Sequence, residues 1–301
     1  MKRRDFIQKT AAGSALLTLP LPMMSFAETK TKQLTILHTN DVHSHIDPFP
    51  ADDARNPNMG GVSRRAVLIE NIRKENPNVL LLDAGDIFQG TPYFNYYGGE
   101  LEFKLMSLMH YDLATMGNHD FDNGIDGFYA QLGHAKFDFV SANYDFKNTV
   151  LNGIVKPYKI FNKEGIKVGV FGLGIQLDGL VDKKMYKETI YNDPVETARE
   201  MTRILKDQQK CDLIICLSHL GYSYSSDKIS DLKLASLTKD IDLIIGGHTH
   251  TFLDKPTIVK NLEGVDTLVN QVGCFGINLG RIDFYFDSAK IKTQQGRTII
   301  I

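Results

Sequence analysis

The sequence predicts an α/β protein with a single catalytic domain behind a leader segment. Three observations carry this. Short runs of β-branched and leucine residues alternate with amphipathic stretches from Leu34 onward. Several of those runs end directly in carboxylate, amide or imidazole side chains. The 301 residues, with 43% hydrophobic and 23% charged side chains, suffice to bury a large core.

The leader comes first. Lys2-Arg3-Arg4-Asp5-Phe6 precedes a weakly apolar run from Ala11 to Met24 that Pro20 and Pro22 interrupt. Such a run suits a cleaved signal better than a membrane span, and Ser25-Phe26-Ala27 puts small residues at both recognition positions of a cut after Ala27. The arginine pair followed by Phe6 resembles a twin-arginine signal, which implies a periplasmic or otherwise exported protein that crosses its membrane folded. We therefore divide the chain into residues 1–27, a signal, and 28–301, a catalytic domain.

Losing residues 1–27 would take the formal net charge from −2 to about −5, a surface that does not attract nucleic acid. The three cysteines, Cys211, Cys216 and Cys274, are odd in number and lie in apolar runs, so buried thiols are expected rather than a disulfide framework.

Strands are expected at Leu34–Leu37, Val79–Leu82, Asp112–Thr115, Phe139–Ser141, Lys167–Phe171, Asp212–Leu217, Asp242–Ile245 and Thr267–Gln271. Helices are expected near 62–76, 99–109, 124–134, 195–208 and 230–238. One has a clear start: Asp193 as cap, Pro194 in the first helical position and Glu196 closing a capping box. Arg281–Phe286 and Gly296–Ile301 read as a closing hairpin about a Gln294-Gln295-Gly296 turn.

Five patches follow candidate strands and offer metal ligands: Asp41-Val42-His43, Gly85-Asp86, Gly117-Asn118-His119-Asp120, Ser218-His219 and Gly247-His248-Thr249-His250. Residues at the ends of parallel strands converge in space. Each patch alone is weak, but a purely structural explanation needs five coincidences. A dinuclear site needs a bridging carboxylate, imidazoles that bind neutral, and glycines that let loops approach two cations, and the patches supply all three.

On these stretches, and especially on His38-Thr39-Asn40-Asp41-Val42-His43, Leu82-Asp83-Ala84-Gly85-Asp86-Ile87-Phe88-Gln89-Gly90-Thr91-Pro92 and Gly117-Asn118-His119-Asp120-Phe121-Asp122-Asn123-Gly124, the chain resembles the calcineurin-like metallophosphoesterases and, among them, the 5′-nucleotidases. The resemblance implies a four-layer α/β/β/α sandwich of two mixed sheets. It also implies two divalent ions (manganese, zinc, iron or cobalt), one held by Asp41, His43 and His250, the other by Asn118, His219 and His248, with Asp86 bridging. His119, oriented by Asp122, would face the substrate as a protonated dyad, and Asn118 would also touch the phosphoryl group. The implied reaction is in-line attack on phosphorus by a hydroxide shared between cations about 3.5–4 Å apart.

Other residues receive plainer readings. Asp120 is expected in a turn or behind the ligands. His38, His110 and His134 have no role, and His45 stands nearest the site. Gly60-Gly61-Val62-Ser63-Arg64-Arg65 reads as a tight turn before a solvated basic face, with phosphate binding at the helix start as the alternative. The aromatic stretch Phe88–Tyr97 suits either rim packing or base stacking.

In the family a second, C-terminal domain contacts the nucleoside, and this sequence matches the catalytic half alone. The substrate is thus expected to be a small phosphate ester, foremost a nucleotide. The alternatives are cyclic or sugar-nucleotide diesters, or a separate chain that carries the missing domain. A metal-dependent binding subunit is the competing non-enzymatic reading, against which the intact His119 and Asp122 argue. Neither a nucleic acid polymer nor stable membrane insertion of the mature chain is expected.

Overall fold

The runs that are apolar on both faces become the inner strands, because a parallel strand covered on both sides has no use for alternation. In the computed structural model, which describes residues 31–287 and 290–301, the strands are β1 (Lys32–Thr39), β2 (Val79–Asp83), β3 (Leu113–Ala114), β4 (Asp138–Phe139), β5 (Tyr144–Asp145), β6 (Tyr158–Lys163) and β7 (Ile166–Leu173). They continue as β8 (Ile190–Tyr191), β9 (Leu213–Ser218), β10 (Leu243–Gly246), β11 (Thr257–Lys260), β12 (Asp266–Asn270), β13 (Asn278–Asp287) and β14 (Lys290–Ile300). Between them lie α1 (Val62–Glu75), α2 (Pro92–Tyr97), α3 (Glu100–Leu108), α4 (Gly124–Gln131), α5 (Lys183–Tyr186), α6 (Pro194–Arg203) and α7 (Asp231–Leu237).

Two six-stranded mixed sheets result, ordered β14-β13-β1-β2-β3-β4 and β11-β12-β10-β9-β7-β6. The strands β1, β2, β3 and β4 run parallel in the first sheet, as do β7, β9, β10 and β12 in the second. Leu34, Ile36, Leu80 and Leu82 of the first sheet meet Val168, Val170, Leu213, Ile215, Leu217, Leu243 and Ile245 of the second in one buried cluster. The opposite face of the first sheet buries Leu37 and Leu81 against Ile69, Ile72, Phe103, Met106 and Phe128 of the helices. The outer face of the second sheet buries Phe171, Ile214, Cys216 and Ile244 against Ala198, Met201 and Leu234. This is the expected four-layer α/β/β/α sandwich, with Cys211, Cys216 and Cys274 buried as free thiols.

Four expectations need correction. The strands β5, β6, β8 and β11 and the short helices α2 and α5 were not foreseen. The closing hairpin pairs antiparallel as expected, but Gln294, Gln295 and Gly296 lie within β14 opposite Phe284, Asp283 and Ile282 rather than at its turn. Gly296 serves a close approach instead, since a Cβ there would stand 2.4 Å from Pro256 Cγ. Asp193 does cap α6 by accepting from the N–H groups of Val195 and Glu196, but the Glu196 carboxylate pairs with Arg199, one turn on, at 2.6 Å rather than closing a box. Arg65, expected on a solvated face, is buried and borders a small internal hollow with Asp83, Glu102 and Tyr111. The leader, and the cut after Ala27, lie outside the described residues.

Candidate metal centre

Strand polarity decides where the chemistry gathers. β1, β2 and β3 of one sheet and β9 and β10 of the other all end at the same edge, and the loops that follow carry Asp41 and His43, Asp86, Asn118, His219, and His248 and His250. The loops are stitched together by their backbones: Asp41 N–H donates to the Gly85 carbonyl at 2.9 Å and His43 N–H to that of Asp86 at 3.0 Å.

The side chains fall into two groups. In the first, Asp41, His43 and His250 bring their ligand atoms within 4.8 Å of one another, and in the second Asp86, His219 and His248 do the same. His43 Nε2 and His250 Nε2 are 3.0 Å apart, and His250 Nε2 lies 3.3 Å from Asp41 Oδ1. Asn118 joins the second group, its Oδ1 2.9 Å from His248 Nδ1. Asp86 faces both: Oδ2 is 3.1 Å from His219 Nε2 and 3.8 Å from His43 Nε2, while Oδ1 accepts the His119 N–H at 2.8 Å. A carboxylate so disposed has one oxygen free for cations on either side.

Two details test whether the donor set fits divalent ions. His219 Nδ1 donates to the Ala84 carbonyl at 2.7 Å, which makes Nε2 the atom left to meet a cation once it sheds its proton, and that buried Nε2 has no hydrogen-bond partner. A second interaction that fixes the tautomer in this way is characteristic of metal-binding histidines. At Gly117, a Cβ would stand 2.1 Å from Asp86 Oδ1, so only glycine admits the loop to this distance. The mixture of carboxylate, amide and imidazole donors suits borderline divalent cations.

The electrostatics give the same picture. Burial opposes the charged form of His219, yet Asp86 and Asp41 outweigh it and raise the imidazole to about 10. The carboxylate of Asp41 holds His250 up at about 10, whereas burial lowers His248 to about 4. The neighbouring carboxylates thus favour the charged form of both His219 and His250 in the metal-free chain, and a cation that takes these nitrogens must displace the protons. Titration of the metal-free chain with manganese near pH 7, in buffers of different ionisation enthalpy, is expected to release about two protons per chain, and the affinity is expected to rise with pH. A pH-independent affinity would contradict this charge distribution.

Beside the two groups, His119 Nδ1 is 2.8 Å from Asp122 Oδ2, and the His119 ring stands edge-on to that of His43 with centroids 5.2 Å apart. The Asp122 hydrogen bond raises the His119 pKa above its ordinary value. The dyad is only partly buried, open to a ligand above the loops.

The remaining candidates separate. Asp120 is fully buried and accepts N–H bonds from Asp86, Ile87, Phe88 and Gly117, so a single carboxylate ties two ligand loops together. His45 is half-buried and stacks on Phe49 at 5.0 Å. His38 is buried between the sheets beside Asn270 at 2.8 Å. At the start of α1 the Val62 N–H donates to the Ile46 carbonyl, and this use of the first donor favours the plain turn. In the aromatic stretch, Phe88 and Phe94 are buried, while Tyr93, Tyr96 and Tyr97 line an open hollow with Asp47.

The role of Asn40 and the backbone conformation of the candidate ligands were not anticipated from the sequence. Asn40 donates to Asp41 Oδ2 at 2.7 Å and to the Gly273 carbonyl at 2.6 Å, holding the first ligand loop to the one that follows β12. Five of the seven candidate ligands, Asp41, His43, Asp86, His248 and His250, have left-handed backbones with φ between 50° and 72°. Outside glycine such conformations are uncommon and gather at functional sites.

Comparison with known proteins agrees with this geometry. Models of known families match the chain at the calcineurin-like phosphoesterases over residues 34–252. The chain is 37% identical over 286 residues to the trifunctional nucleotide phosphoesterase protein YfkN of Bacillus subtilis, covering 84% of this chain and 18% of that protein. It is 36% identical to a snake venom 5′-nucleotidase of Crotalus adamanteus, over 89% of this chain and 48% of that one. Among solved structures it resembles a 5′-nucleotidase precursor of Thermus thermophilus at TM-score 0.82 and 34% identity, over 90% of this chain and 55% of that one. The chain thus spans about half the length of the 5′-nucleotidases it matches. On the family match and the relatives together, the chain belongs to the calcineurin-like phosphoesterase family.

Proposed function

We propose that the chain is a dinuclear-metal phosphoesterase that acts as a 5′-nucleotidase-like phosphomonoesterase. The observation that carries this reading is Asp86, whose single carboxylate addresses both imidazole groups at 3.1 and 3.8 Å. Asp41, His43 and His250 would hold one cation and Asn118, His219 and His248 the other, with Asp86 shared. When bound, two such ions neutralise charge on the phosphoryl oxygens and make water a competent nucleophile.

The protein's own groups do the rest. Asn118 presents an amide beside the phosphoryl position, and Gly117 lets its loop lie close. His119, charged through Asp122, stabilises the developing negative charge or delivers a proton to the leaving oxygen. The names of the relatives point to nucleotides, and a phosphate monoester is the simplest substrate for an open site. Contacts to the nucleoside would come from a further domain, on this chain or on a separate one. A diesterase acting on cyclic or sugar nucleotides is the second reading, favoured by the match to a nucleotide phosphoesterase described as trifunctional.

The test is phosphate release from AMP, UDP-glucose, 2′,3′-cyclic AMP and p-nitrophenyl phosphate by the metal-loaded chain. Preferred hydrolysis of AMP is expected. Preference for the cyclic or sugar nucleotide would replace the first reading by the second, and no release from any of the four would sink both.

We also propose export through the arginine pair at Arg3 and Arg4. Among the described residues no helix is long and apolar enough to cross a membrane. Converting both arginines to lysine is expected to leave the uncleaved chain in the cytoplasm, as cell fractionation would read directly; undiminished export would exclude the twin-arginine route.

A further inference from the structure

The loop between β12 and β13 holds a residue that the proposed reaction does not use. Phe275 has φ 62°, between Gly273 at 79° and Gly276 at 63°. A bulky aromatic in the left-handed region is an outlier that persists only where its surroundings dictate it.

Those surroundings are one half of the metal centre. The Phe275 N–H donates to the Asp41 carbonyl at 2.7 Å. Its ring centroid lies 6.0 Å from that of His43 and 5.9 Å from that of His250. On its other side it meets His45 at 4.4 Å and Phe49 at 6.0 Å. One residue thus touches Asp41, His43 and His250, and among the described residues none of its ring contacts involves the group of Asp86, His219 and His248.

The two halves differ in what orients their imidazoles. His219 is fully buried and fixed by a 2.7 Å bond from Nδ1 to a carbonyl. In the first half, His43 Nδ1 has only a long 3.3 Å contact with the Phe88 carbonyl, and the His250 side chain, 37% exposed, has the Cys274 thiol as its further partner beside Asp41. Rotation of an imidazole about its outer torsion is soft, so a long carbonyl contact and a weak thiol partner leave much of the work of holding the ring planes to packing.

We propose that Phe275 is a positioning residue for the Asp41/His43/His250 cation alone: its ring fixes the two imidazoles and keeps water from their flank, and its backbone holds Asp41. The inference rests on the two-cation reading above. It predicts an asymmetric centre, in which one cation depends on an aromatic wall and the other does not.

The experiment is manganese binding to the full chain, followed by chelator competition, for the unmodified protein, Phe275→Gly and Phe275→Tyr. Glycine adopts the left-handed backbone freely, so this change removes the ring without straining the loop. Phe275→Gly is expected to bind one ion as tightly as the unmodified chain and the other ten- to a hundredfold more weakly, with Phe275→Tyr restoring both. Equal affinities for both ions, weakening of both together, or failure of tyrosine to rescue would each overturn the proposal. Should the glycine chain not fold, Phe275→Leu keeps the apolar cover without the flat ring; weakening of one ion supports the assignment and unchanged binding refutes it. If the unmodified chain binds fewer than two ions, the two-cation reading itself fails, whereas identical binding by unmodified and variant chains removes only the role of Phe275.

Discussion

Asp86→Ala is expected to lower kcat/KM for phosphate release by about four orders of magnitude or more, equivalent to roughly 5.5 kcal/mol of transition-state stabilisation. The reason is positional. Asp86 Oδ2 stands between His219 and His43 at 3.1 and 3.8 Å, and Oδ1 accepts the His119 N–H at 2.8 Å. Alanine removes the shared anion, the link between the two ligand groups and the tether of the His119 loop together. Metal content should fall with activity, from two ions per chain to one or none. Asp86→Asn keeps the shape and loses the charge, so it separates these effects: a large loss in this variant assigns the result to charge. Retention of two tightly bound ions and full turnover by Asp86→Ala would refute a bridging role.

His119→Ala is expected to behave differently: both ions stay bound, and kcat falls about 10²- to 10⁴-fold, the usual range for a positioned proton donor. The Asp122 hydrogen bond raises the His119 pKa, so the charged form that assists departure persists to higher pH and is lost as pH rises through that raised value. Activity should therefore decline on the alkaline side of the pH profile. Asp122→Asn, which removes the 2.8 Å carboxylate partner, should move that decline to lower pH. Loss of metal in His119→Ala, or an alkaline limb indifferent to Asp122→Asn, would reassign the dyad to loop structure. p-Nitrophenyl phosphate supplies a control, because its good leaving group needs little protonation and should be less sensitive to His119.

How much of this was legible in the sequence follows from what surrounds each segment. The inner strands β2, β9 and β10 are buried on both faces and read as unbroken apolar runs. The edge strands β6 and β11 show only partial burial, and Tyr158–Lys163 and Thr257–Lys260 carry lysine and polar residues that resemble loops. Gln294 and Gln295 looked like a turn because the edge strand β14 can carry polar residues, and only pairing with β13 reveals their register. At the site, the convergence of the candidate ligands was legible because strand ends converge. The burial of Arg65, the four N–H groups gathered by Asp120 and the contacts of Phe275 depend on loops meeting across the two sheets, which local sequence does not encode.

The left-handed backbone of Asp41, His43, Asp86, His248 and His250 makes the candidate ligand motifs non-portable. At about 1 kcal/mol or more per residue, five such positions lie on the order of 5 kcal/mol above relaxed loops, comparable with the whole net stability of many domains. The double-sheet interior and the crosslinks between loops must hold that excess continuously. Transplanting Asp-x-His, Gly-Asp and Gly-His-x-His onto another scaffold would therefore carry over the ligands without the geometry that aims them.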